Sequence, residues 1–371
     1  MMHLRPMLSF ILVVATSSLA VAASGEPKET IREFVVKPQW SMLQSAEAEN
    51  QAYYLEPHYM QRGELLGAFV DSTGNVYICD RITDQLIKLN PRGEEVFAIG
   101  SLGEGPEDHR GFGELLSWPG SRIARTDCVL PSKIIIYDVD GAFLWDVDLG
   151  TQDTLTRLFW NGKYAIGSHT WFDYDPSGTE VKTSLRLLSD DGVEIEKIPM
   201  GRIFLDPERV PTMEEMWIYP YVAVSEDGFC FVQQDLYGGR VDCYDQDLDL
   251  AWSFDCGWQP VPLTPEEFAE SKRQPIFASI HHTIRRMFAR RDGEVWIQSW
   301  TSEQAGEYVV FEAFGQEGNR LGFIHIFGLP KEAGSWALHG SKVLWIAKGK
   351  VDAENANVTI PYISVFDLVA K

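Results

Sequence analysis

The sequence is poor in the features that most often betray a function. It carries five cysteines, Cys79, Cys128, Cys230, Cys243 and Cys256, an odd number with no Cys-x-x-Cys pair and no zinc-type Cys/His spacing. A disulfide-stapled miniature scaffold is excluded by the 371-residue length, and most of these cysteines sit inside apolar runs, so we read them chiefly as buried apolar residues. Cys230 and Cys243 are the one pair worth weighing as a disulfide. Basic residues are also scarce. Lys and Arg number 32 against 54 Asp and Glu, a net charge of −22, which excludes nucleic acid and anionic lipid as partners of the chain as a whole. Neither a Gly-x-Ser-x-Gly nucleophile elbow nor a Gly-x-x-x-x-Gly-Lys-Ser/Thr phosphate loop occurs.

No segment offers the roughly twenty uninterrupted apolar residues of a membrane span. The start of the chain comes nearest: Arg5 is followed by the apolar run Met7 to Val14, then Leu19-Ala20-Val21-Ala22 before Ala23-Ser24-Gly25. A short basic segment, a short apolar stretch and a small-x-small site read as a secretory signal peptide over 1–22, cleaved near Ala22. Residues 23–371 are then expected to be one secreted or periplasmic domain, monomeric and without a transmembrane segment.

What is present is a repeat. Glycine-containing turns followed by alternating or apolar runs start at Gly74, Gly120, Gly162, Gly228, Gly293 and Gly340. Successive starts lie 46, 42, 66, 65 and 47 residues apart, a period of forty to fifty with two long inserts. A second turn series interleaves with the first at Gly93, Gly141, Gly192 and Gly318, and the fourth unit keeps the same rhythm in Cys243-Tyr244-Asp245-Gln246-Asp247-Leu248-Asp249 without the glycine. Each unit is expected to be a four-stranded antiparallel sheet that must stack on its neighbours to bury its faces, which predicts an all-β, six-bladed β-propeller. The sixth unit stops after its third strand, Tyr362 to Asp367. Glu29 to Val36 is strand-like and positioned to supply the missing one, so the N-terminal strand is predicted to close the last blade. Inserts near 202–218 and 258–282 are expected to be helical, the second opened by Thr264-Pro265-Glu266-Glu267.

The stretch 74–107, with Val76-Tyr77-Ile78-Cys79-Asp80, a strand ending in Asn90, the Gly93 turn and the close Gly103-Glu104-Gly105-Pro106, resembles an NHL-type repeat. The resemblance implies a propeller of NHL-like or TolB-like type and no particular activity. Six-bladed enzymes resembling gluconolactonases hold a metal in the channel with one Glu, an Asn and several Asp, and the asparagines here are poorly placed for that role.

Connections in a propeller alternate between two ends, and both inserts fall at the end that also carries the mid-blade loops. We take this insert-bearing end as the binding end, with Asp80, Arg81, His169, Asp235, Trp258 and Trp300 as candidate contacts. Asp80 and Asp235 equally suit turn caps, His169 a packed or solvated loop histidine, and Trp258 and Trp300 packing between blades. Asp173, Asp175, Glu104, Glu107 and Asp108 carry oxygen ligands for calcium or another divalent metal, without the full set of an EF-hand loop, and no cofactor is predicted. The expected function is a binding or scaffold propeller recognising a protein, peptide or glycan. The alternative is a metal-assisted lyase or hydrolase at the channel mouth, with His169, Asp80 and Asp235 as ligands or base and Arg81 countering substrate charge.

Overall fold

The computed structural model describes residues 30–41, 67–80, 85–103, 105–108, 115–127, 133–149, 153–175, 178–189, 191–205, 221–233, 238–259, 261–266, 269, 280–281, 283–299, 308–330, 334–347 and 362–371. Their strands form a β-propeller. Blade 1 comprises β2 (Ala68–Val70), β3 (Val76–Asp80), β4 (Gln85–Leu89) and β5 (Glu95–Ile99), and blade 2 comprises β6 (Leu115–Trp118), β7 (Arg122–Asp127), β8 (Lys133–Asp138) and β9 (Phe143–Asp148). Blade 3 contains β10 (Asp153–Trp160), β11 (Ala165–Asp175), β12 (Gly178–Leu188) and β13 (Glu194–Leu205), and blade 4 contains β14 (Val222–Val224), β15 (Cys230–Gln233), β16 (Arg240–Tyr244) and β17 (Leu250–Asp255). Blade 5 is β20 (Ile284–Ala289), β21 (Val295–Ser299), β22 (Tyr308–Phe314) and β23 (Arg320–Phe327), while blade 6 joins β24 (Gly334–His339), β25 (Lys342–Ala347) and β26 (Tyr362–Ala370) to β1 (Thr30–Ser41).

Apolar clusters seal each blade to the next. Tyr77 and Leu86 of blade 1 pack with Ile123 and Ile135 of blade 2, and Ile134 and Ile136 on the other side of blade 2 meet Ala165 and Leu188 of blade 3. Ile166 and Leu187 face Val222 and Val232 of blade 4, whose Phe231 and Val241 meet Ile284 and Ile297 of blade 5. Trp296 and Phe311 then pack on Trp336 and Val343 of blade 6, and Leu344 and Ile346 return to Val76 and Ile78 of blade 1. The packing therefore runs in a closed circle. First strands touch around it, β2 with β6, β6 with β10, β10 with β14, β14 with β20 and β2 with β24, so they are innermost.

The turn glycines explain the repeat. In each five-residue turn the first N–H donates to the fifth carbonyl and the fourth N–H donates back to the first carbonyl, as at Asp71 to Asn75, Asn90 to Glu94 and Asp138 to Ala142. The fourth residue must take positive φ, and Gly74, Gly93, Gly141, Gly192, Gly228 and Gly318 all do. Side chains reinforce the turn from its first position: Asp71 Oδ1 accepts from Thr73 N and Asn75 N, and Asp245 Oδ1 from Asp247 N and Asp249 N. In the unit without the glycine, Leu248 itself adopts φ +61. The strain, about 1–2 kcal/mol, is offset by burying the leucine to 5 % exposure between blades 3 and 4.

β1 does close blade 6, pairing antiparallel with β26 from Phe34 opposite Ala370 to Ser41 opposite Ser364. It also does something the repeat did not foretell. Its first half pairs parallel with β23, Thr30 opposite Gly322 through Val35 opposite Phe327, so blades 5 and 6 share one eight-stranded sheet. Arg32 clamps this seam with a two-pronged ion pair to Glu294, at 3.0 and 2.6 Å. Gly322 has φ +130, and a Cβ there would lie 2.0 Å from the Thr30 carbonyl oxygen.

Three expectations need adjustment. Cys230 and Cys243 do not form a disulfide: Phe231, not Cys230, stands opposite Cys243, so the two thiols lie on opposite faces of one sheet, one packed toward blade 3 and the other toward blade 5. Residues 202–205, assigned by the sequence to an insert, pair as strand with 179–182, and the rest of that insert lies outside the described residues. Of the second insert, Pro265, Glu266 and Ala269 are helical, and β18 (Val261–Pro262) pairs with β19 (Ile280–His281) at its base.

Two outcomes follow for stability. Gly322→Val, which places a side chain where Thr30 passes, should cost about 3 kcal/mol in urea unfolding and should release β1 amides to hydrogen exchange. His339, whose Nε2 is buried without a hydrogen-bond partner, is pushed by burial down to about 4. Because the unfolded chain takes up that proton first, stability is full above about pH 6.5 and should fall by about 2–3 kcal/mol as pH drops toward 4. His339→Phe should flatten this part of a melting-temperature profile.

Candidate functional site at the insert-bearing end

The two ends of the ring differ in kind. Tight five-residue turns make up one end, and the other receives the C-terminal ends of the second strands and the N-terminal ends of the first. Buried polar residues collect there. Arg125, Thr126 and Asp127 end β7, Gln233 ends β15, and Gln298 and Ser299 end β21, all at most 3 % exposed. The position after each apolar second-strand run is thus polar, a pattern visible in Ile78-Cys79-Asp80, Phe231-Val232-Gln233 and Trp296-Ile297-Gln298.

The best-defined group lies between blades 5 and 6. Arg286 on innermost β20 donates from Nη1 to Gln298 Oε1 at 2.9 Å and stacks its guanidinium on Trp336 of β24, 5.0 Å from the ring centre. Gln298 Nε2 and, just before β20, Thr283 Oγ1 are buried without a hydrogen-bond partner. A register shift between Ile284 and Arg286 makes Arg285 the extra residue of a β-bulge in β20. Burial holds its guanidinium below the usual value, and Tyr221 of blade 4 donates from its hydroxyl to the Arg285 carbonyl at 3.3 Å. Chemically this is a donor-rich patch.

Of the candidates from sequence, Asp80, His169 and Trp258 fall among the described residues. Asp80 closes β3 opposite Gln85, and His169 lies in β11 opposite Leu155 and Ser184. Arg81, Asp235 and Trp300 lie outside the described residues. Trp258 packs between blades: its Nε1 donates to Glu312 Oε1 of β22 at 3.1 Å and its ring meets Phe314 edge-on, centroids 6.5 Å apart. Glu312 also pairs with Arg320 at 3.1 Å.

Of the acids weighed as metal ligands, Glu104 lies outside the described residues and Asp108 is engaged in its own turn. Asp108 accepts from Ser101 Oγ and from Gly105 N at 3.0 Å, folding its carboxylate against Gly103 and Gly105, where a Cβ would lie 2.5 and 2.7 Å from Oδ2. The Gly-x-Gly-Pro segment is therefore a capped turn, docked on blade 2 through Lys133 Nζ to Gly105 O (2.8 Å) and Tyr137 OH to Glu107 O (3.0 Å). Among the described residues no group of three or more His, Cys, Asp or Glu could hold a metal ion.

Asp173 and Asp175, expected in a loop, are in strand. β11 and β12 each run 11 residues and β13 runs 12, whereas β3 has 5, β7 has 6, β15 has 4 and β21 has 5. Among the described residues the second strands of the neighbouring blades end level with about His169, and β11 runs about 20 Å further at the insert-bearing end. The alternation in His169-Thr170-Trp171-Phe172-Asp173-Tyr174-Asp175, followed by the residue types Pro, Ser and Gly, is the sequence signal for this hairpin, one that the reading as a loop passed over.

No protein-family model matches the chain, and no curated protein matches it. Similar solved structures include a member of the DUF4221 family from Bacteroides vulgatus (8% identity, 93% of this chain and 98% of that one, TM-score 0.47). Others are virginiamycin B lyase from Staphylococcus aureus (11% identity, 84% and 96%, TM-score 0.41) and a calcium-binding regucalcin from Agrobacterium tumefaciens (12% identity, 92% and 96%, TM-score 0.39). The likeness is one of fold. No helix among the described residues is long and apolar enough to cross a membrane.

Trp258→Ala should lower unfolding stability by about 3 kcal/mol, while Trp258→Phe, which keeps the ring and loses the N–H, should cost about 1 kcal/mol. Urea titration of the two variants separates packing from the bond to Glu312.

Proposed function

We propose that this chain is a secreted or periplasmic binding propeller, a single domain over 23–371 released from a leader near Ala22, that holds a protein, peptide or glycan at its insert-bearing end. The observation that carries the reading is the blade 3 wall. A sheet standing beyond its neighbours gives a flat ring a side surface, and its register places Trp171, Lys182 and Arg202 in one row above His169 and Ser184. An aromatic beside cations suits an amphipathic ligand, because one large ring supplies contact area and the cations supply orientation. Asp80, Arg81, Asp235 and Trp300 would contribute from the ring below, and the neutral donors Gln298 and Thr283 favour a ligand rich in carbonyl or hydroxyl oxygens.

The test is a panel of immobilised glycans and peptides probed with the mature chain and with Trp171→Ala/Lys182→Ala. Binding to one class, weakened at least about tenfold in the variant with an unchanged melting temperature, is the expected result. Equal binding by both proteins would remove the wall from the site. Stoichiometric metal with turnover lost on chelation would instead support a lyase or hydrolase.

A further inference from the structure

The group between blades 5 and 6 asks for one kind of ligand atom. Arg286 and Gln298 stand directly opposite each other in β20 and β21, on the side of blade 5 that meets Trp336, while the next pair, Met287 and Ile297, packs toward blade 4. Beyond the Arg285 bulge Ile284 also packs toward blade 4, so strand alternation carries Thr283 to the blade 6 side, beside Gln298 and Arg286. Gln298 is 0 % exposed and Thr283 2 %. Both lie at strand ends, Gln298 one residue before β21 stops and Thr283 just before β20 begins.

The bond from Arg286 Nη1 to Gln298 Oε1, 2.9 Å long, decides what the amide has left to offer. Its oxygen is taken, and Nε2 keeps two N–H groups with no acceptor. A cation on the amide oxygen also draws charge from the nitrogen, which strengthens those donors. Thr283 Oγ1 is a second buried group without a partner. Blade 6 does not answer them with a side chain of its own at this level: two positions beyond the Trp336–Trp345 pair, on the same face, the register sets Gly334 opposite Ala347, and neither residue type has a side-chain oxygen. Buried donors of this kind are costly unless an acceptor reaches them. A hydroxyl would bring a proton that Thr283 alone could accept, whereas a carboxylate brings oxygens only. The positive charge of Arg286, one amide away in a buried setting, favours a negative acceptor over a neutral carbonyl. We propose that the blade 5–blade 6 junction is a carboxylate-binding subsite, with Gln298 Nε2 and Thr283 Oγ1 as direct donors and Arg286 as the positioning residue that orients and polarises the amide. It rests on the reading of the insert-bearing end as the binding end and names the ligand group that this end grips.

The test titrates the mature chain with acetate and benzoate, and with acetamide and benzamide as their neutral counterparts, by calorimetry and by melting temperature at an ionic strength held constant with chloride. Saturable binding of the carboxylates, at least about tenfold tighter than of the amides, is the expected result. Gln298→Glu, which keeps the shape and replaces the donors with a charge that Arg286 can pair, should abolish it. Thr283→Val should weaken it about tenfold without lowering the melting temperature of the unliganded chain, because the hydroxyl it removes has no partner. Amides that bind as tightly as carboxylates, carboxylate binding that survives both substitutions, or no saturation by any probe would each overturn the proposal; in the last case the donors hold buried water only. The Trp171→Ala/Lys182→Ala panel reads the wall of blade 3 and this titration reads the junction, so the failure of one is distinguishable from the failure of the other.

Discussion

The pairing of β1 with both β26 and β23 is the constraint on which the ring depends. A four-stranded sheet has two apolar faces and cannot bury either alone, so every blade relies on the one before it and the one after it. In a circle such dependence has no end unless the first and last pieces are fastened. Here the fastening is twofold, a ladder to β26 that completes blade 6 and a parallel ladder to β23 that carries the seam across to blade 5. Val36 and Phe34 of the strap pack on the Trp296, Phe311 and Trp336 cluster, so hydrogen bonding and burial close the seam together.

Much of this was legible beforehand because turns obey local rules. A positive φ at the fourth position of a five-residue turn selects glycine, and the glycines recur at the blade period because the turn recurs. Leu248 shows the rule and its limit: the turn persists without glycine when the side chain that bears the strain is buried. The fourth strand of blade 6 was legible from topology, since the sixth unit shows three strands and Glu29 to Val36 is a strand-like segment outside the other units. The parallel pairing with β23 was not, because it depends on where the seam falls in space and on the close approach that Gly322 allows, and neither leaves a periodic mark.

The site was less legible, for a related reason. Strand periodicity says which residues face a neighbouring blade and nothing about which polar groups meet across it. Asp108, weighed as a metal ligand, caps its own turn, and Trp258, weighed as a contact for a ligand, also packs between blades 4 and 5. Gln298 and Thr283 were overlooked because single neutral polar residues at strand ends carry no motif. His169 and Asp173 were misplaced in a loop because the strands of blade 3 exceed the length of their counterparts, a departure from the repeat that the repeat itself conceals. Departures from an internal average are where such a chain differs from a bare scaffold.

The strap also sets the order of events in time. Phe34 is synthesised long before Ala370, yet they are paired neighbours. Until β26 is made, the first strand has only β23 to join, and its ladder within blade 6 cannot form. Contacts separated by nearly the full sequence carry the largest loop-closure cost and form slowly. The unfinished molecule must therefore spend its synthesis with an open seam and exposed strand edges. A break near either terminus would leave it in that condition for good.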